Sequence, residues 1–235
     1  MKLSIIIPVF NEQNTIDRVL RNVVSVDLPD YKKEIIVVDD ASTDKTPSIL
    51  KKWTKRVKIL RHNNNMGKGA SVRDGIKNSS GDLVIIQDAD LEYDPKYYNE
   101  LIKPFEKKTT MVVFGTRLIN YPLKIWGKDK TILPIHLIAN RFLTLLTNIL
   151  FAGNLTDMET GYKIFRKDIL QRINIQSKRF DFEAEITAKI LKMGIKIVEV
   201  PIVTKPRTYK EGKKISWKDG ISAIWTLIKY RYGKE

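Results

Sequence analysis

The chain has 235 residues, 43% of them hydrophobic, which is enough for a well-buried core and unlike a disordered or collagen-like sequence. The absence of cysteine excludes disulfides, thiolate catalysis and cysteine-based zinc sites, and with only two histidines any metal must be held by carboxylates. Forty-two Lys and Arg against 27 Asp and Glu give a net charge of +15, which attracts phosphate groups on nucleic acid, nucleotides or anionic lipids.

Short β-branched runs recur through the first half of the chain. The runs that predict strands are Leu3 to Val9, Glu34 to Asp39, Val57 to Arg61, Leu83 to Gln87 and Met111 to Gly115. The first run ends at Pro8 and Val9, too short for a signal peptide, so we expect the protein in the cytoplasm.

Helices are predicted between these strands. Asn11 is expected to cap a helix whose buried face carries Ile16, Val19, Leu20 and Val23. Ser42 or Asp44 is expected to cap a second helix, with Pro47 in its first turn. Alternation of strands and helices predicts an α/β fold with a mostly parallel, doubly wound sheet and helices on both faces.

The second half of the chain begins with a loop containing Tyr121, Pro122, Trp126 and Gly127, followed by an apolar segment from Ile132 to Phe151. Five residues interrupt that segment and weaken its resemblance to a membrane span: Pro134, His136, Asn140, Arg141 and Asn148. A core helix and a helix lying on a membrane surface both remain open, each for a different face. Lysines that would adjoin the membrane are Lys124, Lys128 and Lys130.

Toward the C-terminus, Lys196 to Val203 predicts a strand and Trp217 to Tyr232 a helix. That helix carries Ile221, Ile224, Trp225 and Ile228 on one face. No repeat or linker divides the sequence, so we expect one domain over 1–235.

Acidic residues follow three of the predicted strands. Glu12 follows the first strand, Asp39 and Asp40 end the second, and the fourth leads into a run that contains Asp88, Asp90 and Glu92. Because ligands bind outside the carboxyl ends of parallel strands, these carboxylates should meet at one edge. They would repel one another unless a cation lay between them, and hard oxygen ligands favour Mg or Mn. Taken alone, Asp-Ala-Asp is more typical of residues that cap turns and the start of a following helix.

Three sequence motifs in order favour the metal interpretation. They are Ile-Ile-Pro-Val-Phe-Asn-Glu at 6–12, Val-Val-Asp-Asp-Ala-Ser-Thr-Asp at 37–44 and Asp-Ala-Asp at 88–90. This set resembles the family 2 glycosyltransferases of the GT-A fold, and the likeness is greatest to the dolichyl phosphate mannose and glucose synthases. It continues through 67–69, 81–82, 115–117, 157–161 and 207–214.

The resemblance implies a nucleotide-sugar-binding half (1–117), an acceptor or membrane-facing half (118–235) and a role for individual residues. At the nucleotide diphosphate sugar it places Pro8, Phe10, Glu12, Val38, Asp40, Asp88, Ala89 and Asp90. It implies that Asp88, Asp90 and Glu92 bind Mg or Mn, and that Asp90 and Arg117 are catalytic. Gly67-Lys68-Gly69 lacks the spacing of a phosphate-binding loop, so we expect a helix start there, with Lys68 solvated or in only weak contact with phosphate.

The nature of the acceptor depends on whether a general base is needed. A phosphate monoester is already a nucleophile near neutral pH, so a polyprenyl phosphate acceptor needs cations rather than a base. The cations expected to bind it are Arg117, Arg207, Lys213 and Lys214. Asp181, Glu183 and Glu185 keep a second mechanism open, in which one of them deprotonates a sugar hydroxyl.

The leading hypothesis is therefore an inverting hexosyltransferase that uses GDP-mannose or UDP-glucose and a polyprenyl phosphate. The protein would lie at the cytoplasmic face of a membrane, bound peripherally or through a membrane-anchored partner. A third hypothesis, a nucleic-acid or membrane-binding module without catalytic activity, follows from the +15 charge. The acidic strand ends would repel a polyanion, so no nucleic-acid partner is expected.

Overall fold

The structure is a computed structural model that describes residues 1–119, 134–208, 212, 214 and 216–233. The strands are β1 (Lys2–Val9), β2 (Lys32–Asp39), β3 (Lys58–Arg61), β4 (Leu83–Ile86), β5 (Val112–Thr116), β6 (Lys163–Arg166) and β7 (Ile197–Pro201). The helices are α1 (Ile16–Ser25), α2 (Thr46–Leu50), α3 (Lys68–Lys77), α4 (Tyr98–Ile102), α5 (Pro134–Phe151), α6 (Lys167–Gln171), α7 (Phe182–Lys192) and α8 (Trp217–Tyr232).

The strands form a single sheet in the order β3-β2-β1-β4-β6-β5-β7 within the described residues. The neighbours of β1, which are β2 and β4, run parallel to it, and so do the pairs β2 with β3 and β5 with β7. Strand β6 is antiparallel to both β4 and β5. The predicted mostly parallel α/β sheet is confirmed, while the inverted strand β6 was not predicted.

Helices cover both faces of the sheet because the central strand is apolar on both faces. Ile5 and Ile7 pack on one face with α1, whereas Ile6 packs on the other with residues of α3 and α7. Successive side chains of a strand point to opposite faces, so a continuous apolar run is what a doubly covered strand requires. The predicted buried face of α1 is confirmed.

The predicted cap of α1 is wrong. The helix begins after Thr15, and Asn11 lies four residues earlier with a φ of 51°. Its side-chain oxygen accepts hydrogen bonds from the backbone N–H of Thr43 at 2.8 Å and of Asp44 at 3.4 Å. Asn11 therefore joins the loop after β1 to the loop after β2 rather than capping a helix.

Neither Ser42 nor Asp44 is the N-cap of α2, which is Lys45 without a side-chain cap hydrogen bond. Asp44 lies one residue earlier, and its Oδ1 atom accepts from Thr46 N at 2.9 Å.

Helix α5 has two apolar faces with different surroundings. One face is buried against α7 and α8 through Leu143 and Phe151, and the opposite face leaves Ile135 and Ile149 exposed. In the part of the chain that the structure describes, α5 is the one helix with the length and composition to cross a membrane, and 28% of it is buried. The core interpretation thus holds for the face that carries Leu143 and Phe151, and the membrane-surface interpretation of the exposed face stays a prediction. Ile132 lies outside the described residues.

Close packing of α3 on β1 generates a test of the fold. A Cβ atom at Gly75 would lie 2.4 Å from Cγ2 of the fully buried Ile6, whereas one at Gly220 in α8 would have no atom within 4 Å. We expect Gly75→Ala to lower the free energy of unfolding by roughly 1–2 kcal/mol, since overpacking outweighs the gain in helix propensity. Gly220→Ala should raise it by about 0.5–1 kcal/mol in urea titrations. Equal stabilisation by both changes would contradict the packing.

Candidate active site

A cavity of about 900 Å³ opens at the carboxyl ends of β1, β2 and β4. It is lined by the predicted residues Pro8, Phe10, Glu12, Asp40, Asp88, Ala89, Asp90, Glu92, Arg117, Arg207 and Lys214. The parallel strands bring these residues to one edge although 206 positions separate the first from the last. Val38 does not line the cavity, because its side chain is fully buried in β2. Lys213 lies outside the described residues.

Arg207 lies among the carboxylates that were predicted to bind metal and donor. Its two terminal nitrogens donate to the two oxygens of Glu12, each at 3.1 Å, and Nη2 also reaches Asp90 Oδ2 at 3.3 Å. Its backbone N–H donates to Glu92 Oε1 at 3.1 Å. The Nζ atom of Lys214 is 2.8 Å from Glu12 Oε1. Cations of the chain itself thus balance the acidic cluster.

The two carboxylates that touch Arg207 respond differently to their surroundings. Burial acts to raise the pKa of Glu12, but hydrogen bonds from Arg207 and Lys214 hold it below its usual value. Burial raises the pKa of Asp90 to about 7, with the charges of Asp88 and Glu92 acting in the same direction. Arg207 offsets this rise only in part, so the site favours the binding of further positive charge.

Lys68 is a member of the site, and the prediction that it is solvated is wrong. Its Nζ atom lies 2.7 Å from Asp88 Oδ1 and 3.0 Å from Glu183 Oε1, with 14% of the side chain exposed. The two carboxylates raise its pKa above the ordinary value despite its burial. The predicted helix start is confirmed, because α3 begins after Gly67, whose φ is 95°. A Cβ there would lie 2.3 Å from the carbonyl oxygen of Lys178.

Asp40 holds the start of α3 against the end of β2. Its Oδ1 atom accepts from the backbone N–H of Met66 at 2.8 Å, and Oδ2 accepts from that of Gly67 at 2.7 Å. His62 Nδ1 is 2.7 Å from Oδ1 and Nε2 is 3.0 Å from Asp74 Oδ2. Both oxygens of Asp40 therefore have partners in the chain, and the residue fixes the shape of the cavity wall.

Arg117 is anchored by a bidentate ion pair at the end of β5. Its Nε atom is 2.7 Å from Asp157 Oδ2, and Nη2 is 2.8 Å from Asp157 Oδ1. Asp157 is fully buried, and its charge raises the pKa of Arg117 against the opposing effect of burial. The guanidinium carbon also lies 6.0 Å from the centre of the Tyr93 ring. Arg117 is thus a fixed positive charge in the cavity wall.

Of the three carboxylates proposed as a base, only Glu183 lines the cavity. Both of its oxygens are in ion pairs, one with Lys68 and the other with the buried Lys163. Glu185 is fully buried and accepts from Tyr230, Lys189 and backbone N–H groups, while Asp181 accepts from Arg179 N at 3.0 Å. Glu185 and Asp181 therefore have structural roles, since their carboxylates are hydrogen-bonded within the chain and do not line the cavity.

Lys68 and Glu159 are two of the cavity residues that were not predicted to act there. The only signal for Lys68 was its place directly after Gly67, where α3 begins. Glu159 also lines the cavity, and its only signal was its position within the 157–161 motif. Neither residue belongs to a periodic pattern or a motif spacing from which its contacts could be predicted.

The carboxylates suit a divalent cation by their chemistry. The described residues contain no group of three acidic or histidine side chains already arranged around one point. Among the predicted ligands, Arg207 is paired with Asp90 and Lys68 with Asp88, so these two cations offset part of the negative charge. A hard cation prefers such carboxylate oxygens, so the chemistry of Asp88, Asp90 and Glu92 fits Mg or Mn. Binding would require Arg207 and Lys68 to move away from these oxygens.

Comparison with curated proteins supports the resemblance. The chain is 28% identical to a dolichol-phosphate mannosyltransferase of Pyrococcus furiosus, over 91% of this chain and 59% of that protein. It is 26% identical to the dolichyl-phosphate beta-glucosyltransferase ALG5C of Trichomonas vaginalis, over 85% of this chain and 62% of that protein. The chain thus spans about three fifths of the length of these two relatives.

Solved structures agree on the architecture. Glucosyl-3-phosphoglycerate synthase from Mycobacterium tuberculosis, in complex with Mn2+, UDP and phosphoglyceric acid, superposes with a TM-score of 0.74. The match covers 100% of this chain and 80% of that one at 18% identity, and it identifies the fold as GT-A. Residues 4–173 match the family described as glycosyl transferase family 2. The chain belongs to glycosyl transferase family 2.

Proposed function

We propose that the protein transfers a hexose from a nucleotide diphosphate sugar to a polyprenyl phosphate. The observation that carries this proposal is the composition of the cavity, which joins the acidic cluster at the strand ends to an apolar surface between α5 and α8. The apolar residues that line it are Ile135, Ala139, Leu143, Trp217, Ile221 and Ile224. A charged nucleotide needs polar surroundings and an isoprenoid chain needs apolar ones, and both must lie in the same cavity for transfer to occur.

The donor is assigned to the residues of 1–117. Phe10 and Pro8 offer an apolar wall to the nucleotide base, and Asp40 shapes the turn beside it. Asp88, Asp90 and Glu92 would hold Mg or Mn, which when bound would neutralise charge on the diphosphate as it departs. The neighbour crystallised with Mn2+ and UDP supports the assignment of donor and metal. The relatives named for dolichyl phosphate transfer support the acceptor.

A phosphate acceptor agrees with the state of the carboxylates in the cavity. One oxygen of the lipid phosphate attacks the anomeric carbon as the bond to the nucleotide diphosphate breaks, and the nucleotide diphosphate takes the electron pair. Configuration inverts, and no proton has to be removed because the phosphate is largely ionised at neutral pH. Arg117, Arg207, Lys213 and Lys214 are the proposed cations for this acceptor. Of the three carboxylates predicted as a base for a hydroxyl acceptor, Glu183 lines the cavity and would have to be released from its two lysines.

Sugar transfer tests the proposal directly. We expect labelled sugar to pass from GDP-mannose or UDP-glucose to a short polyprenyl phosphate with Mn2+ or Mg2+, and not to the matching polyprenol. Asp90→Ala should lower kcat/KM by ~10²–10³-fold, because charge on the leaving diphosphate loses its stabilisation. Asp27→Ala, at an exposed position on the loop before β2, is the matched control and should change nothing.

Three results would contradict parts of this proposal. Transfer to polyprenol or to a sugar, with none to the phosphate, would replace the acceptor by a hydroxyl. Activity unaffected by Asp90→Ala would remove the role of the acidic cluster. Absence of nucleotide binding in the unaltered protein would refute the proposed enzyme altogether.

A membrane surface is the proposed location, because α5 and α8 present a shared apolar face. Along α5 the exposed residues are Ile135, Ile138, Phe142, Leu145 and Ile149; along α8 they are Trp217, Ile221, Trp225, Ile228 and Tyr232. The exposed Lys218, Lys229 and Arg231 flank the aromatic side chains of α8. Aromatic and basic residues around an apolar face are typical of helices that lie in the plane of an anionic membrane. Anionic lipids are found at the cytoplasmic face of membranes, which is the proposed face. A membrane-anchored partner protein that covers the apolar face is the alternative.

Vesicle flotation tests this location. Ile138→Glu combined with Trp225→Glu should abolish binding to phosphatidylcholine–phosphatidylserine vesicles, because both charges would enter the apolar boundary. The control is Lys51→Gln with Lys55→Gln, which changes net charge by the same amount at exposed positions near the β3 edge. Flotation that survives the first pair, or is lost equally with the second, would contradict a membrane face formed by α5 and α8.

A further inference from the structure

The carboxyl group of Glu159 lines the cavity without a partner. Its Oε1 atom is buried and has no hydrogen bond, and Oε2 accepts none from the described residues. The residue as a whole keeps partial exposure. Buried carboxylates in folded proteins are nearly always hydrogen-bonded or paired, so an unpaired one in a cavity calls for a reason.

Neighbouring cations are already committed to other carboxylates. Lys163 Nζ pairs with Glu183 and contacts the carbonyl oxygens of Met158 and Thr160. Arg117 forms its bidentate pair with Asp157. Burial and the charge of Glu183 raise the pKa of Glu159 to about 7, although both cations act against this rise. Neither neighbouring cation therefore pairs with Glu159, and its carboxyl group makes no contact that the fold requires.

The position of Glu159 relates it to the sugar end of the donor site. Two residues later, Gly161 approaches Asp88 so closely that a Cβ there would lie 2.4 Å from Asp88 Oδ2. The backbone N–H of Gly161 donates to the Tyr93 hydroxyl at 2.7 Å. The segment that carries Glu159 thus borders the carboxylate assigned to the diphosphate. In a nucleotide diphosphate sugar the hexose is bonded directly to that diphosphate.

We propose that Glu159 is a specificity-determining residue that hydrogen-bonds hydroxyl groups of the transferred hexose; this assignment rests on the proposed function. A carboxyl group accepts a hydrogen bond at each oxygen and, when protonated, also donates one. Adjacent hydroxyls of a hexose supply both kinds of partner. A bound sugar would therefore satisfy the group that the protein leaves unpaired, and a sugar without the matching hydroxyl would leave it unsatisfied.

Glu159→Leu and Glu159→Gln separate a sugar contact from a structural role. Leu should leave the affinity for GDP or UDP with Mn2+ within about twofold while lowering kcat/KM for the nucleotide sugar by ~10–100-fold. Gln keeps an accepting oxygen and should lose less. Neither change should lower Tm, because a buried unpaired carboxyl does not stabilise the fold. A clear fall in Tm with both variants would assign Glu159 to structure.

Donors that each lack one hydroxyl make the test specific. In the unaltered protein one such monodeoxy donor should react much more slowly than its parent, and in Glu159→Leu this penalty should nearly disappear. An identical penalty in both proteins would overturn the assignment. Equal, severe loss of activity in Leu and Gln variants with every donor would also overturn it, in favour of a general base. Failure of the unaltered protein to bind any nucleotide sugar would instead refute the proposed function itself.

Discussion

Repulsion among carboxylates at one edge of the sheet is the constraint on which the site depends. Parallel strands β1, β2 and β4 end at the same edge, so Glu12, Asp88 and Asp90 meet there through topology rather than sequence proximity. Without counter-charges such a cluster would oppose folding. The chain supplies Arg207 and Lys68 for this purpose, and the surplus of +15 elsewhere does not substitute for cations placed at the cluster.

The same balance links stability to function. Asp90 is held where burial and its neighbours disfavour the charged form, which is a cost to the folded protein unless a cation arrives. Arg207 reaches the cluster from a segment far along the chain, so its ion pairs join that segment to the ends of β1 and β4. A nucleotide diphosphate with its metal would take over these carboxylates and free Arg207 for phosphate. The proposed acceptor cations and the proposed metal ligands are thus two parts of one charge balance.

Sequence reasoning succeeded where the signal is local and periodic. Runs such as Ile5 to Ile7 predicted the central strand, and the acidic residues after β4 predicted the edge where the cavity lies. It failed where a partner is distant: the cation at Asp88 proved to be Lys68, and Asn11 bonds across to the next loop instead of capping α1. Strand β6 was missed because it is four residues long and contains the buried Lys163, whose partners are visible only in three dimensions.

Binding of Mn2+ without nucleotide tests the charge balance most directly. Arg207→Gln removes the cation that lies between Glu12 and Asp90, so its carboxylates should bind Mn2+ at least about tenfold more tightly than those of the unaltered protein. Isothermal titration calorimetry or water-proton relaxation measures the two affinities. Equal or weaker Mn2+ binding by Arg207→Gln would contradict the account, because Arg207 would then not occupy the place of a metal ion.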